Sequence, residues 1–206
     1  FVKKKRRRGT RFFGMQYKLQ VNLRETLTHP LKLADLIVFD SAPDRGPLTL
    51  AWGEISASKD NIIPQSELPM YGFPGDCLRR PIFLPPVEEW TKWHRTAMWV
   101  DPAGGGKDKF AFAIASSLNG YVHLQHVEGL DGGPSEENFN RIAKCAYDFR
   151  VRHAYCERNF GGNAYANLLQ ISLNRLIRQA GDKECPEGWG CSVETMHSSG
   201  QKELRI

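Results

Sequence analysis

The alternation of apolar and polar positions predicts several β-strands in the second half of the chain. Short apolar runs occupy residues 97–100, 110–115 and 121–127, with turns at Gly104 to Gly106 and at Asn119-Gly120 between them. An Asn-Gly pair between apolar runs is a strong signal for a two-residue hairpin turn. Short apolar runs bounded by turn residues are typical of buried strands. These three segments are therefore predicted to form an antiparallel meander.

Helical periodicity follows the meander. A first helix is predicted to open after Ser135, which has the side chain of a good N-cap. A second helix is predicted from about Asn163 to Ala180, and Gly181 is expected to end it. A third helix is predicted to begin in residues 201–206.

Two further strands are predicted between these helices, at residues 151–157 and 191–197. The resulting order is β-β-β-α-β-α-β-α. Helical crossovers join neighbouring parallel strands. The second half is therefore predicted to be an α/β domain with a mixed five-stranded sheet flanked by helices.

The distribution of proline divides the chain into three parts. Residues 41–95 contain eight prolines, a density that is incompatible with long helices. This part is interpreted as a Pro-rich N-terminal connector or extension. Residues 1–40 are interpreted as a partly helical region before it, and residues 96–206 as the α/β domain.

Composition excludes several classes of protein. Of the 206 residues, 41% are hydrophobic and 25% are charged, which is typical of a globular chain with a sizeable core. No apolar run approaches the roughly 18–20 residues that span a bilayer, and the basic N-terminus has no secretory apolar segment. The five cysteines form no regular framework, which favours a reduced, intracellular chain.

The net charge of +5 arises from one short segment. Without the seven basic residues among the first eleven, 21 basic and 23 acidic residues remain, a net charge of −2. The basic run consists of Lys3, Lys4, Lys5, Arg6, Arg7 and Arg8, followed by Arg11. Such a run contacts nucleic-acid phosphates or serves as a localisation signal. A solvated helix face or a linker is the alternative interpretation.

Two acidic residues stand where predicted strands end. Asp101 follows the first apolar run, and Glu157 ends the fourth strand. If these strands are neighbours, both carboxylates emerge at one edge of the sheet. Paired carboxylates repel each other unless a cation lies between them, and oxygen ligands suit Mg²⁺ or Mn²⁺. The alternative is that each acid only caps a helix or a turn.

Other common site motifs are absent from the sequence. The segment Gly104 to Lys107 lacks the earlier glycine and the final Ser or Thr of a phosphate-binding loop. Cys185, Cys191 and His197 do not have the spacing of a structural zinc site. No GxGxxG dinucleotide motif follows the first strand, and no GxSxG nucleophile motif exists.

Four separated segments resemble the large terminase subunits of tailed phages. Residues 100–108 (VDPAGGGKD) resemble the opening of the family's nuclease domain, and residues 155–161 (YCERNFG) resemble its Tyr-x-Glu-x-Asn-Phe-Gly segment. Residues 198–206 (SSGQKELRI) resemble the Gly-x-Lys-Glu-x-Arg-Ile segment before the last helix. Residues 12–22 resemble the passage from the ATPase domain to the nuclease, so residues 1–40 would be the end of the ATPase or linker region.

The resemblance implies an RNase H-like nuclease fold with a metal-binding active site. It implies that Asp101 and Glu157 are catalytic and bind two Mg²⁺ or Mn²⁺ ions, with Asp108 assisting a second ion. The third core carboxylate of the family is expected beyond Ile206. Glu194 or Asp131 is the alternative third ligand.

The resemblance also implies a function in viral genome packaging. The expected activity is a metal-dependent endonuclease, a hydrolase that cuts concatemeric double-stranded DNA. Its expected DNA contacts are Lys107, Arg158 and the Lys3 to Arg8 run, and its expected partners are the portal protein and the small terminase subunit. The expected location is the host cytoplasm, in a packaging motor that is absent from the mature virion, with no membrane partner.

The alternative interpretation is a catalytically incomplete module that only docks DNA or another part of the packaging machine. The absence of a third matching acid before Ile206 motivates this interpretation. From the same observation, we expect these 206 residues alone to bind duplex DNA weakly and to cleave it slowly.

Overall fold

A computed structural model describes residues 36–51, 62–64, 77–102, 109–158, 161, 163–184 and 189–197. The basic run from Lys3 to Arg8, the residues Lys107 and Asp108, and the predicted helix at 201–206 lie outside these described ranges. In chain order, the elements are β1 (Arg45–Gly46), β2 (Ile62–Pro64), β3 (Cys77–Arg79), a 3₁₀ helix (Val87–Glu89), β4 (Thr91–Lys92), β5 (Arg95–Asp101), β6 (Phe110–Leu118), β7 (Tyr121–Leu130), α1 (Glu136–Asp148), β8 (His153–Glu157), α2 (Ala164–Glu184) and β9 (Ser192–Met196).

The chain divides into two compact units. In the first unit, which takes residues 1–40 and 50–84, β2 pairs antiparallel with β3. The second unit takes residues 41–49 and 85–206, and there β1 pairs antiparallel with β4. The second unit also contains the main sheet.

The main sheet has five strands in the order β7-β6-β5-β8-β9. The pairs β7·β6 and β6·β5 are antiparallel, whereas β5·β8 and β8·β9 are parallel. The predicted antiparallel meander and the predicted mixed five-stranded α/β sheet are both confirmed. Three strands, β5, β8 and β9, therefore run in the same direction, and their carboxyl ends meet at one edge.

The hairpin between β6 and β7 has the turn that the sequence predicts. Asn119 and Gly120 have φ angles of 49° and 80°, and a two-residue type I′ turn requires positive φ at both positions. The Asn119 side-chain amide also donates a hydrogen bond to the Leu48 carbonyl at 2.9 Å.

Both described helices pack on one face of the sheet. Residues of α1 and α2, such as Phe139 and Leu169, share a continuous buried core with Met98 of β5 and Phe110 of β6. The rings of Phe110 and Phe139 meet edge to face with centroids 5.3 Å apart. Burial of this sheet face against the two helices stabilises the strands that carry the site.

The first helix begins as predicted. Ser135 is extended and its side-chain oxygen accepts a hydrogen bond from the Asn138 backbone N–H at 3.2 Å. This bond satisfies one of the N–H groups that a helix start leaves without a partner.

The predicted end of the second helix at Gly181 is wrong, because α2 continues to Glu184. A glycine inside a helix costs only about 1 kcal/mol relative to alanine. That cost does not end a helix by itself when the preceding turns, anchored by Leu169 and Leu173, are held in the core. Among the described residues, no helix has both the length and the apolar character needed to cross a bilayer.

Candidate active site

Asp101 and Glu157 lie at the carboxyl ends of adjacent parallel strands. Val100 of β5 pairs with Cys156 of β8, and each acid is the next residue along its strand. The condition stated from the sequence, that these strands are neighbours, is therefore met. Neighbouring strands are about 4.8 Å apart, so the two acidic residues begin from neighbouring positions on one sheet edge.

Strand alternation places both acidic side chains on the face opposite the helices. Val100 and Cys156 are buried in the core shared with α1 and α2. Successive side chains point to opposite faces, so the residues that follow them leave the core. Trp99 and Tyr155 precede them on the same outer face, with ring centroids 5.8 Å apart.

An open cavity of about 520 Å³ lies on this outer face. Asp101, Glu157 and His197 line it at the carboxyl edge of the sheet, and the rings of Trp99 and Tyr155 also contribute to its lining. The small side chains of β6, Ala111 and Ala113, line it as well. The two carboxylates therefore face a common space that a ligand can enter.

The negative charges of both acids affect the pKa of the buried Cys156 thiol. Burial, together with smaller contributions from the negative charges of Asp101 and Glu157, raises this pKa to about 11. A thiol with such a pKa is protonated at neutral pH and is a poor nucleophile. Cys156 is thus a core residue beneath the two acids.

The donor chemistry of this pair suits a hard divalent cation. Carboxylate oxygens are the ligands that Mg²⁺ and Mn²⁺ prefer. Both acids line one cavity, and the negative charge of each contributes to the raised pKa of Cys156. The residues present therefore fit such a metal, and Asp101 and Glu157 are the described residues that would hold it.

A second group of possible ligands lies between β7 and α1. His126, Glu128 and Cys145 have ligand atoms within 4.8 Å of one another. Glu128 accepts two hydrogen bonds from the Arg141 guanidinium, at 3.2 and 3.1 Å, and its Oε2 lies 2.9 Å from His126 Nε2. Arg141 thus supplies the positive charge that a cation would bring, and the group forms an ion-pair network that joins α1 to β7.

Glu194 and Asp131, the alternative third ligands, do not line the cavity. Glu194 is inside β9, paired with Tyr155, two residues before the strand ends. Asp131 lies in the bend after β7, where its carboxylate pairs with Lys109 at 3.2 Å. Neither residue lines the cavity that contains Asp101 and Glu157.

Of the predicted DNA contacts, Arg158 is the one within the described residues. It follows Glu157 directly, is exposed, and donates its backbone N–H to the Met196 carbonyl at 3.0 Å. It therefore lies at the carboxyl edge where the two acids stand. Lys107, Asp108 and the Lys3 to Arg8 run are outside the described residues, so their roles stay predictions.

His197 is a member of this site that the sequence did not predict. Its sequence neighbours Cys185 and Cys191 point only to a zinc site, which their spacing excludes. It nevertheless ends a predicted strand, as Glu157 does, and a search for polar residues at strand ends would have found it. The structure places it in the cavity with both acids.

The chain is similar to known proteins over most of its length. Residues 100–206 match the family described as "Terminase Bacteriophage T7, Ribonuclease H-like domain". The chain is also 26% identical over 198 residues to the "Terminase, large subunit" of Enterobacteria phage T3, which covers 96% of this chain. The chain spans 30% of the length of that relative.

A solved structure, the PPX-GPPA enzyme of Aquifex aeolicus, also matches in part. It is 14% identical, and the match covers 50% of this chain and 36% of that enzyme with a TM-score of 0.29. A similarity at this level contributes nothing to the functional argument.

Proposed function

We propose, from the premise that the chain belongs to the bacteriophage T7-type terminase family with a ribonuclease H-like domain, that it is a metal-dependent DNA endonuclease of a viral packaging terminase. Its substrate would be concatemeric double-stranded DNA, and its reaction the hydrolysis of a phosphodiester bond. One observation carries this proposal: Asp101 and Glu157 end adjacent parallel strands and line one open cavity.

The two carboxylates would hold the metal ions in this reaction. Asp101, at the end of the central strand β5, and Glu157, at the end of β8, are the residues that would hold these ions. Divalent cations bound here would lower the pKa of the attacking water and stabilise charge on the leaving oxygen. The buried residues below the acids, Val100 and Cys156, hold the strand ends in place for this role.

The DNA backbone would be held by basic residues at the same edge. Arg158 follows Glu157 and is exposed, so its guanidinium is available to a phosphate near the carboxylates. Contacts of this kind position a duplex without reading its sequence. The Lys3 to Arg8 run and Lys107 remain proposed contacts on sequence grounds, and Asp108 remains the proposed assistant ligand of a second ion.

The proposed partners follow from the family. The relative from phage T3 is a large subunit of a terminase, so we propose the portal protein and the small terminase subunit as partners. The proposed location is the cytoplasm of the infected host, where packaging takes place.

The nuclease proposal is tested by nicking of supercoiled plasmid. The wild-type chain is compared with Asp101→Asn at equal protein concentration, with Mg²⁺, with Mn²⁺ and with EDTA. We expect nicking that requires the divalent ion and falls to the EDTA level in Asp101→Asn. The result is read as the ratio of the wild-type nicking rate to the Asp101→Asn nicking rate, so a slow wild-type rate is sufficient.

The same experiment separates the nuclease from a docking module. A matched control is Asp131→Asn, which removes the same charge from an acid whose side chain is 87% exposed. This variant should nick like the wild type. A chain that binds the plasmid but nicks equally in wild type and in Asp101→Asn would identify a docking module instead.

A further inference from the structure

The carboxyl edge of the sheet carries a third polar side chain beside the two acids. β9 is the parallel neighbour of β8, and Glu157 pairs with Met196. His197 is the next residue, and it is exposed. Asp101 and Glu157 thus end their strands, His197 directly follows the end of β9, and all three residues line one cavity.

The backbone holds His197 at this position. The Arg158 N–H donates to the Met196 carbonyl at 3.0 Å, so the pairing of β8 with β9 continues past Glu157. His197 follows that bonded carbonyl directly. The backbone at His197 is therefore held one residue beyond Met196, the strand partner of Glu157.

The spacing argues against a shared coordination sphere for these three residues. Donor atoms about 2.1 Å from one small cation lie at most about 4.2 Å apart. The described group with ligand atoms all within 4.8 Å of one another is His126, Glu128 and Cys145, a set that does not include His197. The three side chains therefore do not share one ion in this arrangement, and His197 lines the cavity with both acids.

We propose that His197 is a substrate-positioning residue whose imidazole N–H donates a hydrogen bond to a phosphate oxygen of the bound DNA strand. This inference rests on the proposed nuclease function and adds a residue to it. A neutral imidazole has one N–H donor, so the contact does not depend on a change in protonation. An anionic phosphate oxygen is a strong acceptor for such a donor.

The test compares two histidines at opposite ends of the sheet. His94 precedes β5, is exposed, and lies at the amino edge, seven residues before Asp101. A strand of that length spans about 23 Å, so His94→Ala is a matched control for His197→Ala. His197→Gln keeps an N–H donor and serves as the conservative variant.

Three measurements are made on each variant: affinity for a short duplex DNA, affinity for Mn²⁺, and imidazole NMR signals during titration with the duplex. His197→Ala should weaken DNA binding about 10-fold, the lower end for a hydrogen bond to a charged group. Its Mn²⁺ affinity should stay within about twofold of the wild type, since two carboxylates remain to hold the ion. His197→Gln should recover most of the DNA affinity, and the His197 signals should shift on titration while those of His94 do not.

The outcomes separate this inference from the nuclease proposal. Duplex binding with unchanged His197 signals overturns the inference even if plasmid nicking is observed. Loss of Mn²⁺ affinity in His197→Ala also overturns it, because the residue would then be a metal ligand. Shifted His197 signals without nicking support the inference and contradict the nuclease proposal, and a wild-type chain that binds no duplex contradicts both.

Discussion

Replacement of Asp101 by asparagine should weaken Mn²⁺ binding about 30-fold. Asp101 is exposed at the end of β5, so its attraction to a cation is close to the value in water. Two unit charges about 4 Å apart attract by about 1 kcal/mol in water, which doubles to about 2 kcal/mol for a divalent ion. Since about 1.4 kcal/mol is a factor of ten, this loss is about 30-fold in affinity.

The change is measurable by isothermal titration with Mn²⁺ and by thermal unfolding. At a Mn²⁺ concentration of ten times the wild-type Kd, binding stabilises the wild type by about 1.4 kcal/mol and the variant by about 0.2 kcal/mol. For a chain of this size, the wild-type Tm should rise by about 3–6 °C and the variant Tm by less than about 1 °C.

The control for this prediction is Asp131→Asn. Its carboxylate pairs with Lys109 in an exposed bend, and it does not line the cavity. This variant should bind Mn²⁺ like the wild type. The reasoning is refuted if Asp101→Asn binds Mn²⁺ within threefold of the wild type, or if both variants lose affinity equally, which would indicate only a change of net charge.

Three further predictions concern the charges and the core. Alanine at all six positions from Lys3 to Arg8 should reduce the log–log salt slope of DNA binding by about 5; an unchanged slope, measured by fluorescence anisotropy, would mean that the run does not contact phosphates. Phe110→Ala should cost about 3–5 kcal/mol in urea unfolding, because Phe110 is fully buried against Phe139; a loss below about 1 kcal/mol would contradict this packing. Hydrogen bonding to Arg141 lowers the pKa of Glu128, so its carboxylate stabilises the fold above the ordinary glutamate pKa, and this contribution disappears as pH falls through the lowered value. Glu128→Gln should therefore lose about 1 kcal/mol at pH 7 and progressively less as the pH falls through the lowered pKa, and a loss that does not change with pH, measured by chemical unfolding, would exclude the ion pair as its cause.

Local signals in the sequence were sufficient to predict most secondary structure of the sheet unit. The Asn119-Gly120 turn, the Ser135 cap and the apolar runs depend on residues close together in the chain, and the structure confirms them. The prediction failed at Gly181, where packing of the earlier helical turns outweighs a small local cost. The four segments that resemble large terminase subunits predicted the family, and the family match of residues 100–206 confirms it.

The candidate site was predictable in part. Asp101 and Glu157 were identified because each ends an apolar run, and this signal is local. His197 was not predicted, because its cysteine neighbours in the sequence pointed only to a zinc site. The ion-pair network of His126, Glu128 and Arg141 carried no sequence signal, since it joins a strand to a helix through side chains whose approach depends on packing.

The sequence by itself determined which segments become strands and helices and which acids stand at strand ends. Only the tertiary structure decided the order β7-β6-β5-β8-β9, and with it the meeting of Asp101, Glu157 and His197 in one cavity. The physical reason is that strand pairing is made by hydrogen bonds and side-chain contacts between residues far apart in the chain. Periodicity reports which face of each strand is buried, but it carries no information on which strand lies beside it.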